Sequence, residues 1–128
     1  MHPAKKLVLL IGLSIAVSGC AAVIVGGAAA GGTYAYLKGE MQTAYPHGVK
    51  TVFNAAVAAL QDDMGIAVQD KTCDLTDGLI NAVRADGNKV KVRLKLVGAD
   101  VTEVRVRVGT IGDKTWSQLY LDKLTKRL

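Results

Sequence analysis

Cysteine, histidine and proline are scarce in these 128 residues, with two of each. Two cysteines allow at most one bridge, which excludes the disulfide framework that braces many small secreted domains. The chain has only His2 and His47 for imidazole chemistry. A catalytic histidine needs a nucleophile and an orienting acid close by, and His47 sits between Pro46 and Gly48 without a signature of either. Asp70, Asp74 and Asp77 step by four and three through a strand end and a turn. A calcium loop instead places acids at alternate positions and closes with a Glu, so these read as solvated turn acids. Gly109-Thr110-Ile111-Gly112 lacks the Lys-Ser/Thr pair of a P-loop. Asp113 follows it directly and would put a carboxylate where a helix N-terminus would hold phosphate. There is no internal repeat. No catalytic residue, metal site or cofactor is expected, and the chain reads as a non-enzyme.

Charge is also missing, over the whole stretch from Leu7 to Gly32. Lys5 and Lys6 form a basic start, Leu7 to Val17 an apolar run, and Val17-Ser18-Gly19-Cys20 a small-residue end, the layout of a secretory signal peptide. The ending in Cys20 resembles the lipobox of bacterial lipoproteins. That resemblance implies a thioether from Cys20 to diacylglycerol and removal of residues 1–19. The alternative is an uncleaved span, since the uncharged run is long enough to cross a bilayer. Against it, residues 20–32 turn Ala/Gly-rich after Val25. Gly weakens a helix interior by about 1 kcal/mol relative to Ala, and such a stretch suits a pliable tether.

Cleavage would leave 109 residues and lower the net charge from +5 to +3, because Lys5 and Lys6 depart. Residues 33–128 then form one small domain with a thin margin of core burial. Cys73 would be its sole thiol, read as a structural residue in preference to a redox switch, since free cysteines commonly behave as small hydrophobes. Its exposure is left open, and an exposed thiol would allow an intermolecular disulfide. Ala21 follows the cysteine, in place of the Asp that marks inner-membrane retention in enteric-type lipoproteins. The expected location is the outer membrane, facing the periplasm, in a two-membrane bacterium, and otherwise the outer side of the cell membrane.

Within the domain, Thr33 to Tyr45 reads as one strand, with Tyr34 and Tyr36 on its polar parity. Pro46 ends it and suits a helix's first turn. Val49, Val52, Phe53, Ala56, Val57, Leu60 and Met64 form one wide helical stripe, closed by Gly65. Ile66–Asp74 and Leu79–Ala85 read as strands about the Thr76-Asp77-Gly78 turn. Lys89–Val97 and Val101–Val108 follow an Asp86-Gly87-Asn88 turn and alternate strictly. Such alternation predicts an antiparallel sheet with one covered and one solvated face. Asp113 is an N-cap for a last helix striped by Trp116, Leu119, Tyr120, Leu124 and Leu128. The predicted fold is α+β: about five strands in the order β-α-β-β-β-β-α, with both helices on one face.

Several stretches carry a second resemblance: Tyr36-Leu37-Lys38-Gly39-Glu40, Ala58-Ala59-Leu60, Asp86-Gly87 before Val90-Lys91-Val92, and Thr102-Glu103-Val104. The closing Arg107-Val108-Gly109-Thr110-Ile111-Gly112-Asp113 with Ser117 is the most specific. Together they resemble small bacterial lipoproteins grouped as domain of unknown function 3568. The resemblance implies a secreted, lipid-anchored α+β domain and transfers no catalytic residue.

The sharpest surface feature is the polar parity of the last two long strands. Their connection sets Lys95 opposite Glu103, Arg93 opposite Arg105 and Lys91 opposite Arg107. The two like-charge pairs are unfavourable. A solvated face, screened within roughly 10 Å, is the plain account. The functional account is an anion-binding face of Lys91, Arg93, Lys95, Arg105 and Arg107, lined also by Tyr34 and Tyr36. Its partners would be anionic lipid, lipopolysaccharide or an envelope protein, and not nucleic acid. The expected function is a membrane-anchored envelope lipoprotein, held by lipid at Cys20, that binds or assembles. A periplasmic enzyme with an unrecognised site and a single-span membrane protein are the alternatives.

Overall fold

The computed structural model describes residues 34–128. The expected signal peptide (1–19), Cys20 and its tether (20–32) lie outside the described residues. Among those described, no helix is long and apolar enough to cross a membrane.

The predicted first strand is a hairpin. β1 (Ala35–Leu37) folds back on β2 (Glu40–Tyr45) through Lys38-Gly39, both in the left-handed region at φ 53° and 82°. Gly adopts that region freely and Lys seldom does. Leu37 pairs with Glu40 and Tyr36 with Met41. The turn therefore exchanges the parity. Even-numbered β1 residues share the core face with odd-numbered β2 residues, so Tyr34 and Tyr36 leave the basic face for the helix side. The hairpin also raises the strand count from the expected five to six.

α1 spans Val49–Ala58 and continues as a π-helical turn over Ala59–Asp63. Its N-cap is Gly48, without a side-chain cap, so Pro46 lies before the helix and not in its first turn. Gly65, at φ 64°, follows the last helical residues and turns the chain into β3. β3 (Ala67–Cys73), β4 (Asp77–Val83), β5 (Lys89–Gly98) and β6 (Val101–Val108) follow, then α2 (Lys114–Lys126). All pairings are antiparallel in the order β1-β2-β6-β5-β4-β3. Both long strands alternate as expected, because period-two patterning is what a half-covered sheet needs.

α1 lies over β3 to β6 and α2 over β2 and β6. Val52, Ala56, Ala59 and Leu60 of α1 and its π turn are buried with Ile80, Val92, Val104 and Val106 of the sheet. Gly78 makes room for this contact: a Cβ there would meet Phe53 at 3.1 Å. The α2 stripe differs from the expected one. Ser117, Tyr120, Leu121 and Leu124 are buried, whereas Leu119 is 47% exposed. Tyr120 stacks on Trp116 and donates its hydroxyl to the Ala56 carbonyl at 2.8 Å, joining the two helices.

Candidate functional site

The face opposite the helices carries the candidate residues, and the predicted register holds. Lys91 pairs with Arg107, Arg93 with Arg105 and Lys95 with Glu103. The neighbouring strands complete each row. Lys95 lies between Asp77 and Glu103, Lys91 between Asn81 and Arg107, and Arg93 between Leu79 and Arg105. Glu40 of β2 stands across from Arg107. Cations thus fill the two central strands while acids stand around them. Lys91, Arg93 and Arg105 have no acid directly across from them on either side, and of these three Arg93 alone has an apolar neighbour, Leu79.

Two of the five cations are engaged inside the molecule. Arg105 is ion-paired to Glu103, and that pair raises the Arg105 pKa above its ordinary value. The Arg107 guanidinium donates to the Lys38 carbonyl at 2.9 Å and to the Thr110 carbonyl at 3.0 Å. Both guanidiniums thus have partners within the molecule, which offsets the like-charge opposition without an outside anion. Among the described residues, Lys91, Arg93 and Lys95 make no ion pair within 4 Å. A shallow depression of about 360 Å³ opens beside two of them, lined by Asp77, Leu79, Arg93, Lys95, Glu103 and Arg105. It offers an apolar floor at Leu79 with charge of both signs around it.

Tyr34 and Tyr36, assigned to this face by sequence parity, pack on the helix side. The Tyr34 hydroxyl donates to Asp122 at 2.8 Å and lies 3.3 Å from the Thr125 hydroxyl. Thr125 also meets the Tyr45 hydroxyl at 3.0 Å. Burial, partly offset by the Thr125 bond, pushes the Tyr34 phenol up to about 12. Tyr36 carries the Lys114 ammonium 5.9 Å above its ring.

Asp113 occupies the start of α2, directly after the Gly109–Gly112 loop. Its Oδ1 accepts the Trp116 N–H at 3.0 Å and its Oδ2 accepts from Arg84 at 2.8 Å. Arg84 also pairs with Asp86 and stacks 5.6 Å over the Trp116 ring. The Arg84 bonds, more than the Trp116 N–H, hold the Asp113 carboxyl below its usual range. Sequence reading found the cap and missed the arginine, which comes from 29 residues away.

Cys73, whose exposure the sequence left open, lies exposed on edge strand β3. β3 extends past the shelter of α1, and every residue from Gln69 to Cys73 is exposed. Partial burial and then Asp74 push the thiol up from its ordinary value, opposite to the shift that activates a nucleophile. His47 offers its backbone carbonyl to Thr102 Oγ1 at 2.7 Å. Asp74 accepts from the Thr76 and Asp77 amides, so it closes its own turn. Among the described residues, no three His, Cys, Asp or Glu side chains gather as a metal set.

These features define a small two-layer α+β domain with one open, charged antiparallel face. The chain belongs to the family described as protein of unknown function, DUF3568, whose model matches residues 5–127. The matched stretch takes in Lys5, Lys6, the apolar run and Cys20 together with the sheet. No curated protein matches the chain.

Proposed function

We propose that this chain is a bacterial envelope lipoprotein, anchored through lipid at Cys20, whose helix-free face binds anionic groups without catalysing a reaction. The anchor part rests on the basic start, the apolar run and Val17-Ser18-Gly19-Cys20. Ala21 favours the outer membrane in a two-membrane cell, with the domain in the periplasm. The binding part rests on one observation: Arg93 has Leu79 on one side and Arg105 on the other. An anionic headgroup or a lipopolysaccharide phosphate on Arg93 and Lys95 would gain charge-assisted hydrogen bonds. An apolar neighbour of that anion would cover Leu79. An acidic envelope protein would meet the same residues with carboxylates.

Changing Arg93 and Lys95 to Gln tests the binding part, since both project from the open face and neither makes an ion pair with the fold. A domain beginning at Tyr34 retains the buried core of the described residues and suits the assay. The double variant should co-sediment less with phosphatidylglycerol vesicles, show a flatter salt dependence and keep its melting temperature. Equal sedimentation of both proteins across the salt series would return the face to plain solvation.

A further inference from the structure

Two loops meet at one corner of the sheet, backbone against backbone. A Cβ on Gly39 would lie 2.6 Å from the Ile111 carbonyl oxygen, and one on Gly112 would lie 2.5 Å from the Gly39 carbonyl oxygen. Backbone therefore touches backbone, and both glycines take positive φ. Arg107 fastens the pair from below, donating to Lys38 on one loop and Thr110 on the other. Such fastening would suit buried residues, yet it presents two large apolar side chains to solvent. Leu37 is 62% exposed and Ile111 89% exposed. Lys38 adjoins the first, and Lys114, held over Tyr36, stands beside the second loop. The nearby acids are already engaged or opposed: Asp113 with Arg84 and the α2 amide, Asp86 with Arg84, and Glu40 across from Arg107.

The β3–β4 turn makes a useful contrast. Leu75 is also 89% exposed, but Asp74 and Asp77 flank it. An anionic surface would repel that turn and attract the Leu37–Ile111 corner. Apolar tips with a basic collar are what the interface of an anionic bilayer accepts, with side chains in the acyl boundary and ammonium groups among the headgroups.

We infer that the corner formed by Leu37, Lys38, Ile111 and Lys114 inserts into the surface of the anionic membrane that anchors the chain. The inference rests on the anchor part of the proposed function and is independent of the Arg93 face. Reach is sufficient. Residues 20–32 span at most roughly 45 Å when extended, and Leu37 lies only three residues past Tyr34. Two apolar side chains would hold a free domain weakly, but a tether turns their insertion into an intramolecular step at high effective concentration. The corner and the lipid together then fix which side of the domain faces the bilayer.

The test uses the full lipidated chain in vesicles of phosphatidylcholine with phosphatidylglycerol. Cys73→Ala removes the exposed thiol, and a nitroxide is placed in turn at Leu37→Cys, Ile111→Cys and Leu75→Cys. Labels at positions 37 and 111 should relax preferentially with oxygen, as in the acyl boundary. The label at position 75 should relax with an aqueous nickel complex. Adding Lys38→Glu and Lys114→Glu should return the position 111 label to water. A chain that floats with the vesicles while all three labels stay aqueous overturns this inference and leaves the anchor intact. A chain that fails to float removes the anchor and the inference with it. Protection of positions 37 and 111 in native envelope membranes, but not in protein-free vesicles, would give the corner to an envelope protein and reject the lipid assignment.

Discussion

Asp113 carries two duties on one carboxylate. It caps α2 through the Trp116 N–H and pairs with Arg84 from the β4–β5 turn. Asn caps a helix about as well as Asp but cannot form the ion pair. Asp113→Asn should therefore lose only the Arg84 link, and Asp113→Ala should lose a further 0.5–2 kcal/mol or so for the cap. Urea melts of the two variants separate the duties; equal midpoints would mean the cap contributes nothing. The pH dependence has a definite sign. Asp113 and Asp86 have folded pKa values below their ordinary ones, each chiefly through Arg84. Their contribution is present above the unfolded carboxylate range of about 4 and is lost as pH falls through the folded values.

Among the elements, α1 depends most directly on apolar contact, since no side chain caps its start. Leu60 is fully buried in the π turn that ends it. Leu60→Ala should cost about 2–5 kcal/mol, a large share of what a domain this size holds. An unchanged melting temperature would contradict the two-layer arrangement. β1 leans instead on side-chain bonds from Tyr34 to Asp122 and Thr125. The Tyr34 phenol is raised from its ordinary 10.0 to about 12. The unfolded chain therefore loses that proton first, and stability should fall as pH climbs from the lower value to the upper. Tyr34→Phe should be less stable at neutral pH and show a shallower alkaline decline. Parallel declines would place the titrating group elsewhere.

At the scale of the whole molecule, period-two and helical patterning made most of the sheet and α1 legible from sequence. Lys91, Arg93, Lys95, Arg105 and Arg107 could be placed on one face because alternation fixes a face without knowledge of the fold. The register followed from the short connection at Gly98-Ala99-Asp100. What escaped was non-local or depended on one dihedral. Lys38 in a left-handed turn split a strand whose alternation looked unbroken, and that split moved Tyr34 and Tyr36 to the other face. The partners of Arg107 and Arg84 come from loops that only the folded chain brings together. Leu119 and Leu121 lie on nearly opposite sides of α2, so only one of them can face the core, and Leu121 is the one buried. The anchor is tested at this scale: Cys20→Ser should leave the precursor uncleaved and free of lipid. Intact mass decides it, and normal processing of that variant would reject the lipoprotein reading.

The bond from Tyr34 to α2 has a mechanical consequence. A tether entering from the N-terminal side would deliver its load at the first described residue, Tyr34. β1 is three residues long and, among the described residues, has only β2 beside it, so its ladder alone would unzip under a small load. Tyr34 diverts part of that load through Asp122 and Thr125 into the middle and end of α2. From there Tyr120 passes it to α1 through the Ala56 carbonyl. Force applied at the edge of the sheet is thereby shared by both helices, and the weakest strand does not bear it alone.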